Sequence, residues 1–159
     1  MIKKIDSDLY KKIVENIPIP CVDVMVFDKN LEKTLLFLRK NHPAKGENFS
    51  IGGRLHKGET LIECAQRNLE KETGLKIKKN KFFYVGVINE IFENSMFEGV
   101  STHNLVHYFA LKLNCNPFIS LDNQHSKFEW FIIHDETLHS YIKEKINKSL
   151  EYFKNGKKG

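Results

Sequence analysis

A chain of 159 residues with 41% hydrophobic and 28% charged positions has the make-up of a single globular domain, 1–159, with room for a proper core. No apolar run nears the ~18 residues of a membrane span, and the charged start MIKKIDSDLYKKIVENIP has no signal-peptide core, so no membrane partner is expected. The net charge of +5 is concentrated at one end, with six Lys against two Glu over 143–159, which reads as a solvated helix face and tail and weakens the reading of a basic RNA-binding domain, so no nucleic-acid partner is expected.

In chain order, Asp6 to Asn16 carries Leu9, Ile13 and Val14 at helical spacing and stops before IPIP. CVDVMVFD, from Cys21 to Asp28, and KTLLFLRK read as two strands joined by the turn KNLE. NHPAKGE is a loop, and Phe49 to Ile51 a short strand running into Gly52 and Gly53. Thr60 to Thr73 is the clearest helix, stopped by Gly74. Strands follow at Phe82 to Phe92, HNLVHYFALKL and EWFII, and Asp135 to Phe153 closes the chain as a helix with Leu138, Tyr141, Ile142, Ile146, Leu150 and Phe153 on its apolar face. The interleaving predicts an α/β fold, a mixed sheet sandwiched between helices. Cys21, Cys64 and Cys115 are widely spaced and odd in number, which reads as reduced thiols of a cytoplasmic protein.

The helix after the glycine pair carries the chemistry. At about 100° per residue, Leu61, Ile62, Ala65 and Leu69 share the core-facing arc, and Glu59, Glu63, Arg67 and Glu70 lie opposite, with Glu63 and Arg67 spaced as an i, i+4 pair. Asn68 and Glu72 fall beside the apolar arc. A carboxylate in the last helical turn faces the negative end of the macrodipole, so Glu72 either reaches water or answers a nearby positive charge. Before the helix, Gly52 and Gly53 read either as a tight turn or as a close backbone approach to a ligand. Arg54 supplies a fork of donors suited to phosphate. Asp23 interrupts an apolar strand and needs a partner.

Gly53, five residues, Glu59, seven residues, Arg67, then Leu69, Glu72, Gly74 and Leu75 resemble the Nudix box, with Asn68 and Lys71 in place of two of its acids. LRKNHPAKGENFSIGGR, VHYFALKL and LDNQHSKFEWF resemble segments of one Nudix branch, the GDP-mannose mannosyl hydrolases, although Ile51 replaces the proline usual before the glycine pair. The resemblance implies a Nudix fold and a homodimer acting on GDP-mannose. It implies one Mg²⁺ held by the Gly52 carbonyl, Glu72, Gln124 and the substrate diphosphate, where ordinary Nudix hydrolases use more acids. Arg39 and Arg54 would stabilise departing GDP, His125 would deprotonate the water that attacks sugar C1 with inversion, Asp23 would hold the sugar, and Tyr108 would touch the diphosphate or stay in the core.

Two alternatives stand beside this reading. One is a conventional Nudix pyrophosphatase cutting P–O, with Glu90 and Glu93 as replacement acids. The other is a non-catalytic nucleotide-sugar-binding module.

Overall fold

The computed structural model describes residues 4–114 and 128–156. Seven strands form one mixed sheet: β1 Ile19–Phe27, β2 Lys33–Leu38, β3 Asn48–Phe49, β4 Ile51–Arg54, β5 Phe83–Phe92, β6 Thr102–Lys112 and β7 Phe128–Ile132. Three helices accompany them: α1 Ser7–Asn16, α2 Leu61–Thr73 and α3 Ser140–Asn155.

Strand β1 is the spine. On one side it runs parallel to β6, from Ile19 opposite Asn104 to Phe27 opposite Lys112. On the other side its first half pairs with β4 and its end with β2, both antiparallel. Alternate side chains of β1 serve two cores, as a fully buried strand requires. Val22, Val24 and Val26 pack with Cys64, Ala65 and Leu69 of α2. Met25 and Phe27 pack on the opposite face with Ile142 and Ile146 of α3. Helix α1 closes one end, with Tyr10, Ile13 and Val14 against Ile19, Phe97 and Val100.

The expected α/β sandwich is therefore present, and three local expectations need correction. Gly52 and Gly53 are not a loop: both are paired residues of β4, opposite Asp23 and Val22. The last helix begins at Ser140, not Asp135, because the Asp135 carboxylate accepts from the Thr137 N–H at 2.9 Å and hydroxyl at 2.6 Å, building a turn instead. His139 then caps the helix, its Nδ1 accepting from the Tyr141 N–H at 3.1 Å. Finally, the lysine-rich helix is not wholly a solvated face, since Lys145 has no exposure at all. Positions 142, 145, 146 and 149 share one arc of α3, and all four are buried.

Helix α2 begins with a reciprocal cap. The Thr60 hydroxyl accepts from the Glu63 N–H at 3.4 Å, and the Glu63 carboxylate accepts from the Thr60 N–H at 3.0 Å. Gly74 ends the helix at φ 74°, a conformation that suits glycine. Thr60→Ala is expected to lower stability by about 1 kcal/mol in urea denaturation, through loss of this cap.

Candidate active site

Two neighbouring cavities open beside β4, and Arg39 lines both. The smaller, about 180 Å³, is walled by Phe37, Leu38 and Arg39 at the end of β2, by Gly52 of β4 and by Glu72 of α2. The larger, about 210 Å³, is lined by Arg39, Gly53, Arg54 and Glu90, with Tyr10, Phe49 and Phe92 as its aromatic walls. The first cavity thus joins a backbone segment, one carboxylate and one guanidinium, and the second adds another guanidinium and an aromatic lining.

Packing requires glycine at position 52 and leaves little room for a side chain at position 53. A Cβ on Gly52 would fall within the Asp23 carboxylate, and one on Gly53 would lie 3.0 Å from Asn68 Oδ1. Successive residues of β4 therefore press against polar side chains on opposite faces of the sheet.

On the α2 face, Arg67 fastens the helix to the strand. Its Nε donates to Glu59 Oε1 at 2.6 Å and its Nη2 to Glu59 Oε2 at 2.9 Å. Nη2 also donates to the Arg54 carbonyl and Nη1 to Asn68 Oδ1, both at 3.0 Å. The expected Glu63–Arg67 pair is absent among the described residues, because Glu63 turns back to its cap and to Lys79 at 3.3 Å. Asn68 is buried, and its amide donates to the Val22 carbonyl at 3.2 Å. Glu72, one turn later, is half-buried and has no hydrogen-bond or ion-pair partner among the described residues.

On the α3 face lies the partner that Asp23 requires. Lys145 Nζ donates to Asp23 Oδ2 at 2.7 Å, to Glu90 Oε1 at 2.6 Å and to Ser50 Oγ at 3.1 Å. Burial opposes the lysine's charge, but the two carboxylates more than offset it, and its pKa is raised. Glu90 is pushed above the ordinary carboxylate range, by burial first and by the Asp23 charge, with Lys145 pulling the other way. Neither Lys145 nor this role of Glu90 was anticipated. The signal was available, since Lys145 adjoins Ile146 on the apolar arc of its helix.

Of the expected site residues, the structure brings together Gly52, Glu72, Arg39 and Arg54 around the paired cavities. It corrects two others. Asp23 lines neither cavity, being 8% exposed and committed to Lys145 and Ser50. Tyr108 is fully buried in the core beneath α3, its hydroxyl unpartnered among the described residues; it shares a face of β6 with Thr102 and Asn104 of the larger cavity but lies farther along the strand and lines neither cavity. Glu90, considered as a replacement metal acid, is occupied by Lys145. Gln124 and His125 lie outside the described residues.

Comparison with known proteins identifies the family. The NUDIX domain family matches residues 18–153. The chain belongs to the Nudix family. Among curated relatives, the low-salt glycan biosynthesis protein Agl8 of Haloferax volcanii is 30% identical over 145 residues, spanning 91% of this chain and 90% of that protein. Among solved structures, the MutT Nudix hydrolase of Burkholderia pseudomallei superposes with a TM-score of 0.67 at 15% identity, covering 84% of this chain and 98% of that one. The Nudix domain of Shewanella oneidensis NrtR, solved with ADP ribose, also gives 0.67 at 16% identity, covering 94% and 99%. These structural likenesses establish the fold. No helix among the described residues of this Nudix protein is long and apolar enough to cross a membrane.

The Arg67 fork holds the Glu59 carboxyl at about 2, against an ordinary value of 4.5, despite the opposing effect of burial. A depressed carboxyl stabilises the fold fully above its unfolded value and loses that contribution as pH falls toward the folded one. Thermal melts should therefore show a fall in stability between pH 4.5 and about 2 that is shallower in Glu59→Gln, with the two curves converging at the acid end. Parallel curves would show that the pair contributes nothing.

Proposed function

We propose that this Nudix protein hydrolyses a GDP-linked sugar, GDP-mannose first among candidates, to GDP and free sugar by water attack at sugar C1 with inversion. The observation that carries the reading is the division between Asn68 and Glu72. Asn68 is consumed by bonds within the fold, while Glu72, beside Gly52 and Arg39, is a carboxylate with no partner among the described residues. No cluster of three or more His, Cys, Asp or Glu suited to a metal occurs among the described residues. One carboxylate and one carbonyl suit a single Mg²⁺, which takes few protein oxygens and draws the rest from phosphate and water.

Glu72, the Gly52 carbonyl and Gln124 are the residues assigned to that ion. Bound there, Mg²⁺ supplies positive charge that offsets the charge developing on departing GDP. Arg39, just after β2, and Arg54, at the end of β4, add cations that line the larger cavity for the same diphosphate. Arg54 is held in place by stacking over Tyr10, with its guanidinium carbon 5.0 Å from the ring centroid. His125 is assigned as the base, since imidazole as a side-chain type has a reference pKa of about 6.5, suited to deprotonating water near neutrality. Asp23 acts at one remove, fixing Gly52 from beneath, in place of the direct sugar contact that the resemblance implied. The glycan-related name of the Haloferax relative supports a sugar substrate. A homodimer and a cytoplasmic location belong to the same proposal, and exposed Leu9 and Ile17 at either end of the first helix are available for subunit contact.

The test is product analysis of GDP-mannose with Mg²⁺ in ¹⁸O water. GDP with ¹⁸O in mannose, appearing first as the β anomer, is the expected result. His125→Ala should lower kcat by about 10²–10⁴-fold, as loss of a general base does. GMP and mannose 1-phosphate would overturn the reading in favour of attack at phosphorus, and binding without turnover of any GDP-sugar would favour a sensor.

A further inference from the structure

We propose that Lys145 is a positioning residue that keeps Arg39 free for ligand phosphate by occupying both carboxylates that would otherwise capture it. The proposal rests on the reading of Arg39 as a phosphate-binding cation, and it assigns a role to a residue 106 positions away in sequence. Arg39 is half-buried, and its Nε is inaccessible to solvent with no hydrogen-bond partner among the described residues. An unsatisfied buried guanidinium N–H is costly, and its natural remedy is a carboxylate. Two buried carboxylates lie within electrostatic reach: Asp23 and Glu90 both act to keep Arg39 charged, against the effect of burial. Yet neither forms a hydrogen bond or ion pair with it. Each gives an oxygen to Lys145, at 2.7 and 2.6 Å, and Ser50 takes the third ammonium proton at 3.1 Å.

The group of four is balanced, two cations against two anions, but paired unequally. Lys145 is bonded to both anions, and Arg39 lines the two cavities with no hydrogen bond from its side chain among the described residues. An ammonium has three donors and no exposure here, so it is saturated and cannot itself serve a ligand. Removing it would leave two buried carboxylates unpaired with Arg39 in electrostatic reach of both. The guanidinium would fold onto them and be lost to the site, although no residue lining either cavity had changed.

Titration calorimetry with inorganic pyrophosphate in excess Mg²⁺ tests this without a sugar substrate. Arg39→Ala sets the scale of loss. Lys145→Met should weaken pyrophosphate by about 10–100-fold, equivalent to losing one charge-assisted hydrogen bond. Lys145→Met with Glu90→Gln, which leaves net charge unchanged and leaves Asp23 its bond to Ser50, should return affinity to within about threefold of wild type. Wild-type affinity in Lys145→Met, equal losses in the single and double variants, or no pyrophosphate binding by the wild type would each overturn the proposal. If Lys145→Met does not fold, the double variant decides: near-wild-type affinity supports the proposal, and a loss as large as that of Arg39→Ala overturns it. A wild type that binds pyrophosphate yet leaves GDP-mannose intact refutes the proposed reaction alone.

Discussion

A lysine ammonium with no solvent exposure, saturated by two carboxylates and a hydroxyl, holds the α3 side of this molecule together. Burying an ion costs several kcal/mol even after relaxation, and such a cost is tolerable only where every donor is met. Here the three partners come from β1, from β5 and from Ser50 between β3 and β4, so one side chain of α3 fixes three separate pieces of the sheet. Apolar packing of Ile142 and Ile146 presses the helix down, but it is nondirectional. The ammonium sets the register in which the helix lies.

The α2 side uses a different polar lock to the same end. Arg67 spans Glu59, the Arg54 carbonyl and Asn68, which ties the helix, its preceding loop and β4 into one unit. Between the two locks runs β4. Its first glycine is pressed by Asp23 from the α3 face and its second by Asn68 from the α2 face. A strand held in this way offers its backbone to a ligand with little freedom left to lose, which is the preorganisation that phosphate binding and charge stabilisation require. The rigidity of the glycine pair therefore comes from its neighbours, not from the glycines themselves.

The sequence made the layered fold legible because its periodicities are strong. The Val alternation of β1 and the 3.6-residue spacing of α2 each admit one assignment, and both elements lie within a residue or two of where the pattern places them. It was less informative where chemistry crosses the chain. Asp23 announced that it needed a partner, but nothing local identifies a lysine 122 positions away. Charge counting also misled: Lys145 was grouped with its solvated neighbours, although its helical phase puts it with Ile142 and Ile146. Glu63 and Arg67 have ideal spacing for a pair, yet capping won Glu63, because an unsatisfied helix N-terminus is the nearer claimant and Arg67 is already engaged by Glu59. Tyr108 shows the limit of motif matching, since its distance along β6 from Thr102 and Asn104 places it beneath α3 and not in the cavity that they line.

The difference between Asn68 and Glu72 follows from the same geometry. Four residues apart, they point in nearly the same direction from α2, one turn displaced along its axis. At the earlier turn the side chain meets the Val22 carbonyl beneath β4 and is only 4% exposed. A carboxylate there would have no proton to offer that carbonyl and would bring its charge into a site walled by Gly53 and Cys64. An amide satisfies the carbonyl with one end and receives Arg67 with the other. At the later turn the helix has cleared β4, and the side chain reaches the cavity beside Gly52 and Arg39. A carboxylate is tolerable there because it keeps access to water and lies near a guanidinium. Helix packing therefore assigns structure to position 68 and leaves chemistry to position 72, so that Glu72 is the acid of this helix that lines the cavity follows from how the helix is docked.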